Sequence, residues 1–325
     1  MPPKAKKNKR ARPAGSGSTR RLKVALIATG GLGLALLLGV ELVRVLNAPR
    51  PDVFLPATLM GKFSGFNQPC GKFNAWDVAA LGNDGYVVTD AENGRVLFFD
   101  KQGKFLKSWG KKGNGPEDLK EPSSVITDEA GNTYFIDAWA SALMGLDKER
   151  KPILDVPVTQ GFYGPRGLAW DGKNFFVADT GAHRVVELTK EGNFVTYWGG
   201  KMGDGKDQLN DPYAIAAYGG YLYVADANNH RIQVLDPSVK NQFVRNFSVG
   251  KQPTDLVFDK QGRLFVSFFD DGIVGVFNSN GKSLGKLKDD LGSVDPFRNI
   301  NGLGIAPDGL LLLASADKIL MYRVP

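Results

Sequence analysis

The sequence predicts an all-β protein, a six-bladed β-propeller preceded by a single transmembrane α-helix. Three observations predict this fold class. The chain has 325 residues, of which 42% are hydrophobic, so it is too long for a minimal domain and too apolar to be disordered throughout. A unit of four short strands recurs from residue 74 onward. One long apolar run lies before the repeats, near the amino terminus.

Disulfide and metal cross-links are largely excluded by composition. Cys70 is the single cysteine, which excludes an internal disulfide framework and any multi-cysteine zinc site. The two histidines, His183 and His230, exclude most histidine-based metal cages. Both precede an arginine in equivalent turns of two repeats, so we interpret them as turn residues. We therefore assign no metal site and no catalytic residue from the sequence.

The positive charge of the chain belongs to an amino-terminal tail. The formal net charge is +7, yet nine of the 41 Lys and Arg residues lie in the first 23 residues, which contain no acid. The remainder carries 32 basic against 34 acidic residues. Residues 1–22 have hardly any bulky apolar group and are predicted to be a disordered tail. A nuclear-localisation or nucleic-acid role is the other interpretation of a basic run, but the adjacent apolar run favours membrane orientation or anionic lipid, and no nucleic-acid partner.

Residues 23–46 are predicted to form a transmembrane helix that acts as a signal anchor. Val24–Val40 are 17 residues without a charge, and extension to Leu46 gives 23, a helix of roughly 34 Å against a hydrocarbon core of about 30 Å. A cleaved signal peptide is the alternative, but it needs a small-x-small site. Leu46 stands where the small residue should be in Leu46-Asn47-Ala48.

The charge distribution around the apolar run predicts its orientation. Nine cations precede it and Arg50 alone follows it closely, so the tail stays in the cytoplasm and the rest is exported to the periplasm or extracellular space, after a linker at 47–52. Gly31, Ala35 and Gly39 form a small-residue stripe that would let two such helices self-associate. Small residues are also common in membrane helices without that role.

The repeats predict six blades. The residue that ends the second strand of each unit recurs at intervals of 47, 42, 47, 41 and 48 residues, which is the range of propeller blades. The sixth unit ends without a fourth strand, and an open edge would leave unpaired backbone groups. Residues 53–60 are therefore predicted to supply the outer strand that closes a propeller spanning 53–325. The six markers are Asp90, Asp137, Asp179, Asp226, Ser267 and Ser315.

The repeated motifs resemble those of the NHL repeat family. GPRGLAW, VADTGAHRVVEL and VADANNHRIQVL carry the likeness, which is clearest in the first, third and fourth units and covers roughly residues 53–325. Family members are six-bladed propellers, so the resemblance and the spacing imply the same fold. The fold hosts enzymes, RNA binders and extracellular sensors or scaffolds, so it does not by itself imply an activity.

An aspartate and an arginine five residues later flank one tight turn in three units. Charge-assisted hydrogen bonds can bridge such a turn. Because the pair recurs around the ring, we interpret it as structural. The predicted turn pairs are Asp90 with Arg95, Asp179 with Arg184, and Asp226 with Arg231.

Two enzyme classes that use propellers depend on particular metal ligands. Propeller lyases resembling the peptidyl-hydroxyglycine lyase family use zinc held by several histidines, which two turn histidines cannot supply. Propeller lactonases hold calcium in the central tunnel with acidic and amide side chains. Asp77 and Asp255 begin inner strands and are predicted to line the tunnel, with Asn301 beside the equivalent position of the last blade. A calcium-dependent hydrolase or lyase is therefore the alternative function, and ordinary polar tunnel lining is the simpler interpretation.

The leading functional prediction is a protein- or ligand-binding or scaffolding module that uses its loop face. The position after the Pro of the Pro-x-Gly motif, or its equivalent in each unit, should surround one mouth of the channel, and the turns after the second strands lie on the same face. Aromatic and arginine side chains there are typical of recognition patches, although the rings could instead pack between blades. The predicted binding face contains Trp76, Trp139, Arg166, Tyr213, Phe269 and Asn301, and the same alignment places Ser123 and Thr254 at the mouth.

Overall fold

Six four-stranded blades form a ring, which confirms the predicted all-β propeller. The computed structural model describes residues 53–157, 161–239, 242–268, 272–289, 297 and 299–325. The predicted tail, transmembrane helix and linker, with Gly31, Ala35 and Gly39, lie outside the described residues. Within the described part of the chain, no helix is long and apolar enough to cross a membrane.

Each blade runs from an innermost strand beside the channel to an outermost strand. Blade 1 holds β2 (Ala75–Ala80), β3 (Gly85–Asp90), β4 (Arg95–Asp100) and β5 (Phe105–Trp109), and blade 2 holds β6 (Pro122–Thr127), β7 (Thr133–Asp137), β8 (Ala142–Leu146) and β9 (Pro152–Val156). Blade 3 holds β10 (Pro165–Trp170), β11 (Asn174–Asp179), β12 (Arg184–Thr189) and β13 (Phe194–Gly199), and blade 4 holds β14 (Pro212–Tyr218), β15 (Tyr221–Asp226), β16 (Arg231–Leu235) and β17 (Phe243–Ser248). Blade 5 holds β18 (Pro253–Phe258), β19 (Arg263–Phe268), β20 (Val274–Asn278) and β21 (Ser283–Asp289), and blade 6 holds β22 (Ile300–Ile305), β23 (Leu311–Ser315), β24 (Lys318–Arg323) and β1 (Phe54–Ser64).

The first strand of the propeller, β1, completes the last blade. Its residues Thr58–Ser64 pair antiparallel with β24. Its residues Phe54–Ala57 pair parallel with Lys286–Asp289 of β21 in blade 5. The strand is longer than the predicted segment 53–60, and it joins blades 5 and 6 into one eight-stranded sheet.

The core lies between the blades. The second strand of a blade is covered on both faces, so β3 buries all six of its residues, as expected for a short apolar run without alternation. The outer strand β5 instead exposes three consecutive residues, Leu106 among them, and buries Trp109. Among the described residues, the buried apolar side chains form six clusters, each between two adjacent blades.

Phe63 of β1 carries the contact between the closing strand and blade 1. It is 7% exposed, and its ring centroid lies 4.8 Å from that of Phe99 and 5.4 Å from that of Tyr86. Because Tyr86 and Phe99 belong to the first blade, this side chain links the two ends of the ring. The closure therefore depends on side-chain packing as well as on backbone pairing.

We expect Phe63→Ala to destabilise the protein by about 3–5 kcal/mol, because it leaves a cavity at the ring closure. Met60→Ala is the matched control on the same strand, since Met60 is 51% exposed and should cost less than about 0.5 kcal/mol. Chemical denaturation of both variants measures the difference. Equal midpoints for the two variants would show that β1 does not hold the ring closed.

Candidate functional site

The six inner strands begin at the same face of the ring and surround a cavity of about 220 Å³. We call it the mouth cavity. It is open at the face where these strands start, and Asp77 and Asp255 lie one residue deeper along their strands. Ser124 lies at the depth of these aspartates, and the rim side chains are Trp76, Arg166, Tyr213, Thr254 and Asn301.

Four residues of the predicted binding face meet at this cavity, namely Trp76, Arg166, Tyr213 and Asn301. In blade 2 the expectation for Ser123 was wrong, because Ser123 is fully buried and its hydroxyl donates to the carbonyl of Arg166 at 3.1 Å. The next residue, Ser124, lines the cavity in its place.

The other two predicted face residues do not join the cavity. Trp139 lies in the turn between β7 and β8 and is 70% exposed, on the same face as the mouth but not among its lining residues. Phe269 lies outside the described residues. Its neighbour Phe268 is 7% exposed and packs in the cluster between blades 4 and 5, so in this case burial between blades is the correct interpretation.

Arg166 is held between aromatic rings at the rim. Its guanidinium carbon lies 5.1 Å from the ring centroid of Tyr213 and 5.6 Å from that of Trp76, within the range of cation–π attraction. Its Nη1 lies 3.5 Å from Oε1 of Glu121 and is a buried nitrogen without a hydrogen bond. Burial raises the pKa of Glu121, and the nearby Arg166 opposes that rise.

A second cavity continues the path along the axis of the ring. It has a volume of about 360 Å³, is lined by inner-strand residues of blades 1 to 6, and shares Asp77, Ser124 and Asp255 with the mouth cavity. The two tunnel aspartates therefore stand at the level where the two cavities meet. Trp170 and Phe258 line the second cavity further from the mouth.

The tunnel aspartates tie neighbouring blades together. Asp77 accepts hydrogen bonds from the backbone N–H of Val125 in blade 2 at 2.8 Å and from the hydroxyl of Ser124 at 3.2 Å. Asp255 accepts one from the backbone N–H of Leu303 in blade 6 at 2.6 Å. Each carboxylate thus crosses to the next inner strand.

Blade 6 has a glycine where blades 1 and 5 have their aspartates. A Cβ at Gly302 would collide with the Asp77 carboxylate and with the backbone of Trp76. The glycine is therefore required by the close approach of blade 1. Beside it, the Asn301 side chain donates to the carbonyl of Ala75 at 2.8 Å, which further joins the last blade to the first.

The two carboxyl groups are buried and affect each other. Burial raises the pKa of Asp77 to about 7, opposed by its hydrogen bonds from Val125, Val78 and Ser124. Burial also raises the pKa of Asp255, and the negative charge of Asp77 raises it further. Like charges in a site with little solvent disfavour double ionisation, so the pair takes up a proton more readily than isolated aspartates do.

The turn pairs bridge the ends of the second and third strands. The Nε–H groups of Arg95, Arg184 and Arg231 donate to the partner carboxylates at 2.7, 2.8 and 2.6 Å, and the three aspartates are fully buried. Each aspartate also accepts a backbone N–H from the loop that leads into its own blade, as Asp179 does from Tyr163. The pairs therefore fix the loops around the mouth. The partner aspartates are Asp90, Asp179 and Asp226.

Blade 2 keeps its aspartate without an arginine. Ala142 stands opposite Asp137, which instead accepts the backbone N–H groups of Lys120 at 2.7 Å and Glu121 at 2.8 Å. Two loop amides thus take the place of the guanidinium. This arrangement holds Glu121 beside Arg166 at the rim.

A second kind of arginine bridge, which was not predicted from the sequence, lies at the face of the ring opposite the mouth. Arg263 donates to Asp259 at 2.6 Å, to the carbonyl of Val324 at 3.1 Å and to the carbonyl of Pro325. It therefore fixes the end of blade 6 to blade 5. The Asp259 and Arg263 pair, four residues apart, is the signal that could have indicated it.

The described residues contain no group of three or more His, Cys, Asp or Glu side chains placed to hold a metal ion. The tunnel pair has two carboxylates, and their oxygens accept hydrogen bonds from Val78, Val125, Ser124, Leu256 and Leu303. A calcium ion takes six to eight oxygen ligands. A cation bound here would therefore need water or ligand oxygens for most of its shell.

Comparisons with known proteins support the propeller fold. The DUF5128 family model, described as a 6-bladed beta-propeller, matches residues 78–154. NHL repeat-containing protein 2 of Gallus gallus is 27% identical over 149 residues, covering 35% of this chain and 20% of that protein. Protein brain tumor of Drosophila melanogaster is 31% identical over 132 residues, covering 39% of this chain and 12% of that protein. The matched parts thus span a fifth or less of either relative.

A structural comparison covers most of the chain. A streptogramin B lyase structure superposes with a TM-score of 0.59 at 13% identity, covering 82% of this chain and 97% of that one. At this identity the likeness shows the fold alone.

The raised pKa of Asp77 predicts that stability falls as pH rises toward neutrality. The folded protein holds a proton at a pKa of about 7, whereas the unfolded chain releases it near 3.8. The stabilisation is complete below about pH 4 and is lost as pH rises through about 7, because the unfolded state then binds fewer protons. We expect Asp77→Asn to flatten the dependence of the unfolding free energy on pH between 5 and 8. Asp317→Asn, which changes an exposed carboxylate, is the control, and parallel pH profiles for all three proteins would contradict the prediction.

We expect Arg184→Ala to destabilise the protein by about 3 kcal/mol, because it leaves the fully buried Asp179 carboxylate without its charged partner. Lys190→Ala breaks an exposed pair with Glu191 and should cost no more than about 1 kcal/mol. Urea denaturation of both variants tests the comparison. A loss for Arg184→Ala no larger than that of the control would remove the structural role of the turn pairs.

Proposed function

We propose that this chain is a membrane-anchored β-propeller that binds a protein or a small ligand at its mouth and acts outside the cytoplasm. One observation carries the proposal: Arg166 stands at the rim between Trp76 and Tyr213, and its buried Nη1 has no hydrogen-bond partner among the described residues. Arginine and aromatic side chains in a partly enclosed pocket are typical centres of binding energy. The mouth is therefore the surface that we assign to recognition.

The anchor is the part of the proposal that is supported by sequence alone. Residues 23–46 are long and apolar enough for a signal anchor, and the basic tail before them favours a cytoplasmic amino terminus. The propeller would then lie in the periplasm or the extracellular space. Close packing of Gly31, Ala35 and Gly39 between two such helices would bring two propellers together.

The path of β1 places the two ends of this strand on opposite faces of the ring. This strand runs toward the mouth face, because the next inner strand, β2, begins there after the short loop at 65–74. Phe54, at the start of β1, therefore lies at the opposite face of the ring.

A calcium-dependent hydrolase or lyase that acts in the tunnel is the second candidate function. It is favoured by the two acidic side chains, Asp77 and Asp255, that stand where the two cavities meet. Hydrolysis of an ester panel that is lost with a chelator, restored by calcium and abolished in Asp255→Asn would support this function. Binding without turnover would support the recognition function.

The recognition function predicts that a partner is lost when the rim is truncated. We expect Arg166→Ala in the full-length protein to lower the recovery of crosslinked partners from membranes, because truncation at the centre of a recognition site costs about 2 kcal/mol or more. Trp139→Ala tests the neighbouring turn. The control is Phe194→Ala, since Phe194 is 51% exposed on the outer strand β13.

Quantitative mass spectrometry of the recovered material distinguishes the outcomes. A partner that is lost with Arg166→Ala and kept with Phe194→Ala supports recognition at the mouth. Loss of a partner only with Trp139→Ala would assign the binding surface to the turns around the rim. Unchanged recovery in all three variants would overturn the proposed face.

A further inference from the structure

The mouth cavity carries opposite charges at two depths. Arg166 stands at the rim, one position after the first residue of its inner strand. Asp77 and Asp255 come one residue deeper on theirs, and adjacent residues of a strand are about 3.3 Å apart along its axis. A ligand lying along the channel would therefore meet a cation first and carboxylates next.

The positively charged guanidinium of Arg166, at the rim, has hydrogen-bond donors that are not used. A guanidinium has five N–H donors, and the nearest acid, Oε1 of Glu121, lies 3.5 Å from Nη1 without a hydrogen bond. Unpaired donors in a partly buried site are costly, which favours an acceptor from outside. A carboxylate is the acceptor whose geometry matches the guanidinium fork, and the rings of Trp76 and Tyr213 flank its place.

The negative charge deeper in the cavity, on Asp77 and Asp255, disfavours a ligand with a second anionic group. Asp77 and Asp255 both line the cavity just below the rim, so the negative charge that the pair carries once a proton is released would repel a dianionic ligand. A positively charged group would be attracted there. Gly302 of blade 6 has no side chain beside Asp77, and a Cβ there would collide with the Asp77 carboxylate.

The volume of the cavity limits the size of the ligand. At about 220 Å³ it is smaller than the pockets of roughly 300–1,000 Å³ that hold drug-sized molecules. It therefore suits a molecule of amino-acid size. The continuing second cavity gives room for a short extension along the axis.

We propose that the mouth cavity binds a small zwitterion, with its carboxylate on Arg166 and its ammonium group toward Asp77 and Asp255. The inference rests on the proposed binding function and narrows it to a ligand class. The rings of Trp76 and Tyr213 cover the carboxylate end, and the chain between the two charges lies along the channel. Glu121 competes with the ligand for Arg166, so its removal strengthens binding.

Calorimetric titration of the full-length protein in a nonionic detergent tests the ligand class. The probes are glycine, β-alanine, 4-aminobutyrate and 6-aminohexanoate, which separate the same two charges by increasing lengths. The matched single-charge probes are butyrate and butylamine. We expect one amino acid of the series to bind at least about tenfold more tightly than either single-charge compound, a clear difference in binding free energy.

Variants assign the carboxylate end. We expect Arg166→Met to weaken binding of the preferred amino acid at least about tenfold and Glu121→Gln to tighten it. Arg323→Met is the control, because Arg323 is an exposed arginine on β24. An unchanged dissociation constant in Arg166→Met, with its unfolding midpoint intact, would overturn the assignment.

The comparison among ligands needs no variant, so it remains decisive if Arg166→Met fails to fold. No measurable binding of any probe at about 10 mM, or equal binding of butyrate and 4-aminobutyrate, overturns the zwitterion inference. If that result is accompanied by loss of a crosslinked partner in Arg166→Ala, recognition at the mouth stands and the ligand class is wrong. If the partner is also unaffected, both the inference and the proposed face fail.

Discussion

The pairing of β1 with β24 is the constraint on which the rest of the propeller depends. Every other blade is built from four consecutive strands, but blade 6 takes its outer strand from the start of the propeller. The aromatic contact of Phe63 with Tyr86 and Phe99 then packs that strand against blade 1. Because the six inner strands surround the mouth, their separation is fixed only when the ring is closed. The mouth cavity is thus a property of the closed ring and not of any one blade.

The tunnel aspartates combine a structural and a chemical role. Asp77 and Asp255 accept backbone N–H groups from Val125 and Leu303 of the next blades, so they help to hold the ring together. The same burial that makes these bonds strong raises both pKa values. The carboxylates are therefore available to a ligand only as a coupled pair that already supports the fold. The site is therefore polar because its carboxylates hydrogen-bond to neighbouring blades, and the described residues do not group into a metal-ligand set.

Much of the fold could be predicted because the same pattern of four short strands and turns recurs in several repeats. The register of the inner strands also predicted one depth for Trp76, Arg166 and Tyr213, since equivalent positions of a ring share one depth, and all three line the mouth cavity. The register could not show that the Ser123 side chain is buried away from the cavity. That burial depends on the hydrogen bond from its hydroxyl to the carbonyl of Arg166 in the next blade. Arg263 was missed for a related reason, since its carbonyl partners lie about sixty residues away in sequence.

The composite last blade has a consequence for biosynthesis. Strand β1 is made first in the propeller, and β24, the strand it pairs with antiparallel, is made last. At a synthesis rate of about 5–20 residues per second, β1 waits tens of seconds with its backbone donors and acceptors unpaired. Such an edge can associate with another strand. In a nascent chain, β1 therefore has to be kept from pairing with other strands until translation is complete. A product truncated before β24 cannot close the ring.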